Sequence, residues 1–176
     1  MTAVRFVHAD LEHFPDDGKT REIIHGDLIV SPAPTPEHQR IVRNLSFALE
    51  FFLRQNPLGE VLFAPLDMIF DDDECIQPDV IFVSNARAGI VTKRGLEGAP
   101  DWVVEVISPS TRKRDLQVKR KLCQSFGVDV YWAVDAELQE VHAWDGGTYT
   151  VYREGERLSA SSLPGFTVEL DELFRR

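Results

Sequence analysis

The sequence predicts an α/β (α+β) domain in which a mixed central sheet is flanked by two main helices and carries additional β-hairpins. Three observations support this. Short apolar runs bounded by turn residues recur along the chain, two longer stretches repeat their apolar residues at helical spacing, and the run WVVEVI at 102–107 is apolar on both faces, as a covered central strand must be. A chain of 176 residues, 43% of them hydrophobic, holds enough apolar material for one core, so a single domain over 1–176 is expected.

The elements follow in order. REIIHGDLIVSPAP, residues 21–34, reads as two short strands around His25-Gly26, and Pro32, Pro34 and Pro36 end the extended run. Thr35 is placed to cap a helix whose first position suits Pro36. Ile41, Val42, Leu45, Leu49 and Phe52 recur on one face of it until Asn56-Pro57-Leu58-Gly59 stops it. EVLFAPLDMIF and DVIFVS read as strands separated by the acidic turn DDDEC, and DWVVEVIS is a further, central strand. Ser108-Pro109-Ser110-Thr111 opens a second helix that runs to Phe126 and ends at Gly127. VYWAVD, EVHAWDGGTYTVYRE and LPGFTVEL complete the chain as a strand, an Asp-Gly-Gly hairpin and a closing segment, with no internal repeat or linker.

Charge and composition exclude several functions. A formal net charge of -10 and a pI near 4.9 argue against holding nucleic acid by bulk positive charge, so any polyanion must be met locally. The Met1 end lacks the apolar segment of a signal peptide and no later run reaches membrane-spanning length, so a cytoplasmic protein is expected. Cys75 and Cys123 lack CxxC spacing and read as packing residues.

Against that acidic background, residues 105–121 (EVISPSTRKRDLQVKRK) place six basic side chains in seventeen positions. On the second helix Leu116, Leu122, Cys123 and Phe126 share one side, while Lys113, Gln117, Arg120, Lys121 and Gln124 share the other, solvated one. Asp115 and Lys119 fall within the apolar stripe, where an ammonium needs an anion opposite it. An i,i+4 ion pair at the core edge accounts for them, and so does a site. His38 likewise lies on the apolar face of the first helix, where a lone histidine is ordinarily a core residue. Glu105 is harder to dismiss, because a carboxylate inside a two-sided apolar strand needs a cation, a donor or a proton. Asp79 opens the strand after Pro78. Two carboxylates on neighbouring strands and an inward lysine together suit a hard divalent cation and a lysine that positions water. DDDEC lacks the glycine and distal glutamate of a calcium loop, and Ser108 and Ser110 lack a GxSxG setting, so these read as a hairpin tip and capping residues.

Four blocks in order, REIIHGDLIVSPAPTPEHQ, QPDVIFVS, PDWVVEVISPSTRKRDLQVKRKLCQSFGVDVYWAVD and LPGFTVELDELF, resemble the Uma-two family of the PD-(D/E)XK nuclease superfamily over nearly the whole chain. The resemblance implies a restriction-endonuclease-like core and a metal-dependent phosphodiesterase site. Asp79 and Glu105 would bind Mg2+ or Mn2+, Glu22 would be the family's early glutamate, and His38-Gln39 its His-Gln pair. Ile107 stands where the superfamily lysine would be, and Lys119 is the substitute that the family's Asp-x-x-x-Lys segment implies. Cys123 departs from a frequent tyrosine. The expected function is a metal-dependent DNA endonuclease, with a catalytically inactive binding or scaffold protein and a hydrolase of another phosphoester as alternatives. A homodimer is expected, with Tyr131, Trp132 and Trp144 as an isologous patch.

Overall fold

The computed structural model describes residues 4–176. Strands β1 (Thr20–Ile24) and β2 (Asp27–Ser31) form a hairpin about His25-Gly26, whose φ values of 53° and 74° suit the tight turn that the sequence suggests. Helix α1 (Pro36–Gln55) starts where expected, with the Thr35 hydroxyl accepting the His38 amide at 3.2 Å. EVLFAPLDMIF is not one strand. It divides into β3 (Gly59–Phe63) and β4 (Met68–Asp71), which belong to different sheets, because Pro65 offers no amide to continue a ladder.

The acidic DDDEC segment is the tip between β4 and β5 (Glu74–Ile76), and β6 (Val80–Ser84) follows. After the short β7 (Val91–Thr92) and β8 (Gly95–Glu97) comes β9 (Trp102–Ile107), buried at every position. The second helix starts at Arg112, widens into a π-helical turn at Arg114–Lys119 and continues as α2 (Arg120–Ser125). The sequence signalled a helix here but not its wider turn. Strands β10 (Val130–Asp135), β11 (Glu140–Asp145), β12 (Thr148–Tyr152), β13 (Arg157–Ser159) and β14 (Thr167–Glu169) lead to α3 (Leu170–Phe174).

Two six-stranded sheets result, in the orders β2-β1-β5-β4-β8-β7 and β12-β11-β10-β9-β6-β3, with a two-stranded ribbon of β13 and β14. In the second sheet β9 runs parallel to β10 and antiparallel to β6. Alternation along these strands creates two cores. Trp102, Val104 and Val106 of β9 pack with Ile41, Leu45, Leu49 and Leu53 of α1 on one face. Val103 and Ile107 pack with Leu122 and Cys123 of α2, and with Met68, Ile76 and Leu96 of the first sheet, on the other. Glu105 lies between Val103 and Ile107 and faces that second core. Both cysteines are buried, as their reading as packing residues requires. Phe126, expected on the apolar stripe, is instead 39% exposed and stacks on Phe70, since it already lies beyond the last turn of the helix.

The aromatic patch expected at a dimer surface does not exist as a surface. Tyr131 and Trp132 are buried, Trp132 meeting Trp102 edge-on, and Trp144 is covered by Arg120 and Tyr149. A two-sided apolar strand such as β10 has no face to offer a partner. Among the described residues no helix is long and apolar enough to cross a membrane.

Gly59 tests the β3–β6 pairing, since a Cβ there would lie 2.1 Å from the Val83 carbonyl oxygen and 2.8 Å from the Phe82 ring. Because backbone cannot yield as a side-chain tip can, Gly59→Ala is expected to cost about 1–3 kcal/mol in urea unfolding. Gly89→Ala, which meets nothing within 4 Å, is expected to change stability by no more than about 0.5 kcal/mol.

Candidate active site

Three elements distant in sequence deliver charge to the core between the two sheets. Glu22 comes from β1 of the first sheet, Glu105 from β9 of the second, and Lys119 from the end of the π-helical turn. Lys119 Nζ lies 2.7 Å from Glu22 Oε1 and 2.7 Å from Glu105 Oε1. All three side chains are sealed, at 2–5% exposure. The Gln77 amide donates to the same Glu22 oxygen at 2.9 Å, fixing that carboxylate from the neighbouring chain segment.

Asp79 enters just before β6. Its Oδ2 accepts the Val106 amide at 2.7 Å, locking it to β9, and its Oδ1 lies 3.1 Å from His38 Nε2. His38 stands at the third position of α1, oriented by the Thr35 cap, and its Nδ1 is buried without a hydrogen-bond partner. The side chains of Asp79 and His38 are 14% and 19% exposed, so this half of the centre meets solvent while the lysine half does not. All five residues singled out in the sequence therefore gather in two adjoining groups: Glu22, Glu105 and Lys119, and Asp79 with His38. The i,i+4 ion pair proposed for Lys119 and Asp115 is not the lysine's contact, because the two glutamates hold the ammonium.

Electrostatics follows from burial and count. Burial pushes the Glu105 carboxyl well above its ordinary range; Lys119 opposes this, while Asp79, Asp115 and Glu22 reinforce it. For Lys119, burial favours loss of the proton, but Glu105, Glu22 and Asp115 together hold it on. Several carboxylates thus compete for one ammonium in a medium of low dielectric constant, and this excess of negative oxygen is what a hard divalent cation would relieve. The carboxylate oxygens of Asp79 and Glu105 are of the hard type that such an ion takes.

Sequence reasoning missed other charged features. Arg112 pairs with the buried Asp135, tying the start of the second helix to the end of β10. Among the described residues, ligand atoms of three residues converge within 4.8 Å at His8, Asp67 and Cys75 and at Asp135, Glu140 and His142. Both sets are already engaged. Burial raises the Cys75 thiol and Gln77 holds Asp67 at 2.7 Å, while Arg112 occupies Asp135 and Tyr149 meets His142 Nδ1 at 2.7 Å. Neither set was visible in the sequence, because the first joins a short helical turn, a loop and a strand, and the second depends on the pairing of β10 with β11.

A mixed sheet flanked by helices, with Asp79 just before β6, Glu105 on its neighbour β9 and Lys119 on the helix that follows, matches a restriction-endonuclease-like fold. A solved structure from Anabaena variabilis ATCC 29413, described as "a putative nuclease belonging to DUF820", superposes with a TM-score of 0.82 at 19% identity. The similarity covers 96% of this chain and 97% of that one, and at this identity it establishes the fold. The chain belongs to the Uma2 family, described as "Putative restriction endonuclease", which matches residues 8–171. No curated protein matches significantly.

Glu105 gives the site a pH signature. Its folded pKa is raised, so the folded chain holds that proton more tightly than the unfolded one; the contribution is full below the ordinary value of 4.5 and is lost as pH rises through the folded value. In chelator, wild type is therefore expected to lose stability relative to Glu105→Gln as pH rises above about 4.5, measured by urea unfolding. Lys119 keeps Glu22 in that variant, so Glu105→Gln does not orphan the ammonium. Lys119→Met removes the only cation from two sealed carboxylates and is expected to cost about 3 kcal/mol or more, whereas the exposed Lys121→Met changes stability by less than about 0.5 kcal/mol.

Proposed function

We propose that the chain is a magnesium- or manganese-dependent endonuclease that hydrolyses phosphodiester bonds of DNA. The observation that carries this is the single buried ammonium, 2.7 Å from two glutamates that come from different sheets, beside an aspartate open to solvent. Core packing alone gives no reason to bury these charges, since apolar residues of similar volume commonly serve stability as well or better.

In this reading Asp79 and Glu105 hold the cation, which when bound polarises a phosphoryl oxygen and lowers the pKa of its water. Asp79, fixed by the Val106 amide, presents its other oxygen toward solvent and His38, where a phosphate can approach. His38 can donate from Nε2 to Asp79 or to a phosphate oxygen. Lys119, held by Glu22 and Glu105 in the metal-free chain, is the cation that can supply positive charge to the attacking water and the developing negative charge. Lys113 and Lys121, exposed on the outer face of the second helix and without an ion pair among the described residues, give the local contact with a phosphate backbone that an acidic chain needs.

A second reading, a non-catalytic scaffold that keeps the nuclease fold, is favoured by one observation: Glu22 and Glu105 are already satisfied by Lys119. Supercoiled-plasmid nicking separates the two. Cleavage is expected with Mn2+ or Mg2+, to stop in chelator, to fall about a hundredfold or more in Asp79→Asn, and to persist in Lys121→Met. No cleavage of any DNA form with either metal would favour the scaffold. Metal-dependent turnover of small phosphodiesters far above that of DNA would move the substrate to another phosphoester.

A further inference from the structure

The ammonium that the proposed chemistry requires is bound where it cannot do that work. Lys119 Nζ is shared by one oxygen of Glu22 and one of Glu105, inside a sealed part of the core. A divalent cation taking Glu105 as a ligand would meet this ammonium across a few ångströms of low-dielectric interior, where like charges repel strongly. The lysine then needs a second acceptor, close by and with an oxygen free of hydrogen bonds.

Asp115 meets that description. It is 3% exposed and lies four residues before Lys119, one turn away on the same face of the helix. Its Oδ1 is buried and has no hydrogen-bond partner among the described residues, with Arg114 Nε no nearer than 3.5 Å. Apart from that long ion pair the oxygen has no donor, a costly state for a desolvated carboxylate, and it lies one helical turn from the buried Lys119. Side chains four apart on a helix have Cβ atoms about 5–6 Å apart, within reach of the flexible lysine stem. Burial raises the Asp115 carboxyl, while Lys119, then Thr111 and Arg114, draw it down, so the two groups already sense each other. The π-helical turn spans Arg114–Lys119 and thus brackets the pair, and such wide turns are frequent where a helix serves a site.

We infer that Asp115 is a positioning residue: when a divalent cation binds Glu105, the Lys119 ammonium leaves the two glutamates and settles on Asp115 Oδ1, beside the cation and its water. Lys119 is then both the counter-ion that holds the metal-free centre together and the charge that the loaded centre uses. This rests on the metal site proposed above.

Crystals of the wild-type protein grown in chelator and with manganese test the movement directly. The expected result is Lys119 Nζ on both glutamates without metal and on Asp115 Oδ1 with it. An ammonium that stays on the glutamates in the loaded crystal, or an Asp115 oxygen that binds the manganese itself, overturns the inference while leaving the metal site standing. Manganese affinity in solution, followed by the electron paramagnetic resonance of the free ion, gives a second measurement. Asp115→Asn is expected to weaken binding about tenfold, because the ammonium displaced from Glu105 loses its charged acceptor and repels the cation, and Asp115→Glu to restore most of it. Affinity in Asp115→Asn within about twofold of wild type would count against the idea. If the wild type binds no manganese at all, the metal reading fails and this inference with it. If Asp115→Asn does not fold, the paired wild-type crystals decide alone.

Discussion

One ammonium shared among more carboxylates than it can neutralise is the constraint around which the molecule is arranged. Lys119 draws Glu22 and Glu105 to 2.7 Å each and thereby joins the hairpin sheet, the central sheet and the second helix at a single point. The apolar surroundings make that junction strong and demanding at once. Charges withdrawn from water interact at full strength, but each must find a partner or a proton. Much of the nearby geometry serves this need. The Gln77 amide closes one side of Glu22, the Val106 amide fixes Asp79, and the Tyr131 hydroxyl donates to the Asp115 carbonyl oxygen at 2.8 Å, anchoring the turn that carries the lysine.

The centre is also divided by access. Glu22, Glu105 and Lys119 are sealed, while Asp79 and His38 face outward from the edge of the same cluster. The division follows from chain direction. Asp79 precedes β6 and His38 occupies the first turn of α1, so both come from element ends, where backbone meets solvent. Glu105 sits mid-strand, and Lys119 projects inward from a helix lying on the sheet. Element ends supply groups that a substrate can touch, and element middles supply groups that set the local field.

How much of this the sequence disclosed depends on the range of the physics involved. The hairpin at His25-Gly26, the Thr35-Pro36 helix start and the two-sided strand WVVEVI rest on local rules and stand where the sequence puts them. His38, Glu105 and Lys119 were conspicuous because a polar group within an apolar pattern is costly wherever the pattern leads, whereas Glu22 rested on the family resemblance alone; the structure brings these residues and Asp79 together. Partners were another matter. That Lys119 would take Glu22 rather than Asp115 depends on how one sheet lies against the other, which no window of sequence contains. The division of EVLFAPLDMIF between two sheets and the burial of Tyr131 and Trp132 were illegible for the same reason: both are decided by pairings between strands far apart in the chain.

A lysine carried by a strand is held by backbone ladders on both sides and has few ways to move. Lys119 instead rides on a helix that meets the sheet only through side chains, and it leaves that helix at the end of a wide turn. Its ammonium therefore reaches the glutamates through side-chain packing and a flexible four-carbon stem, with no strand ladder of its own to fix it. The outer face of the same helix carries Lys113 and Lys121. An anion resting on that face would meet Lys113 and Lys121 while Lys119 stays sealed inside, so one short helix divides its positive charge between surface and core.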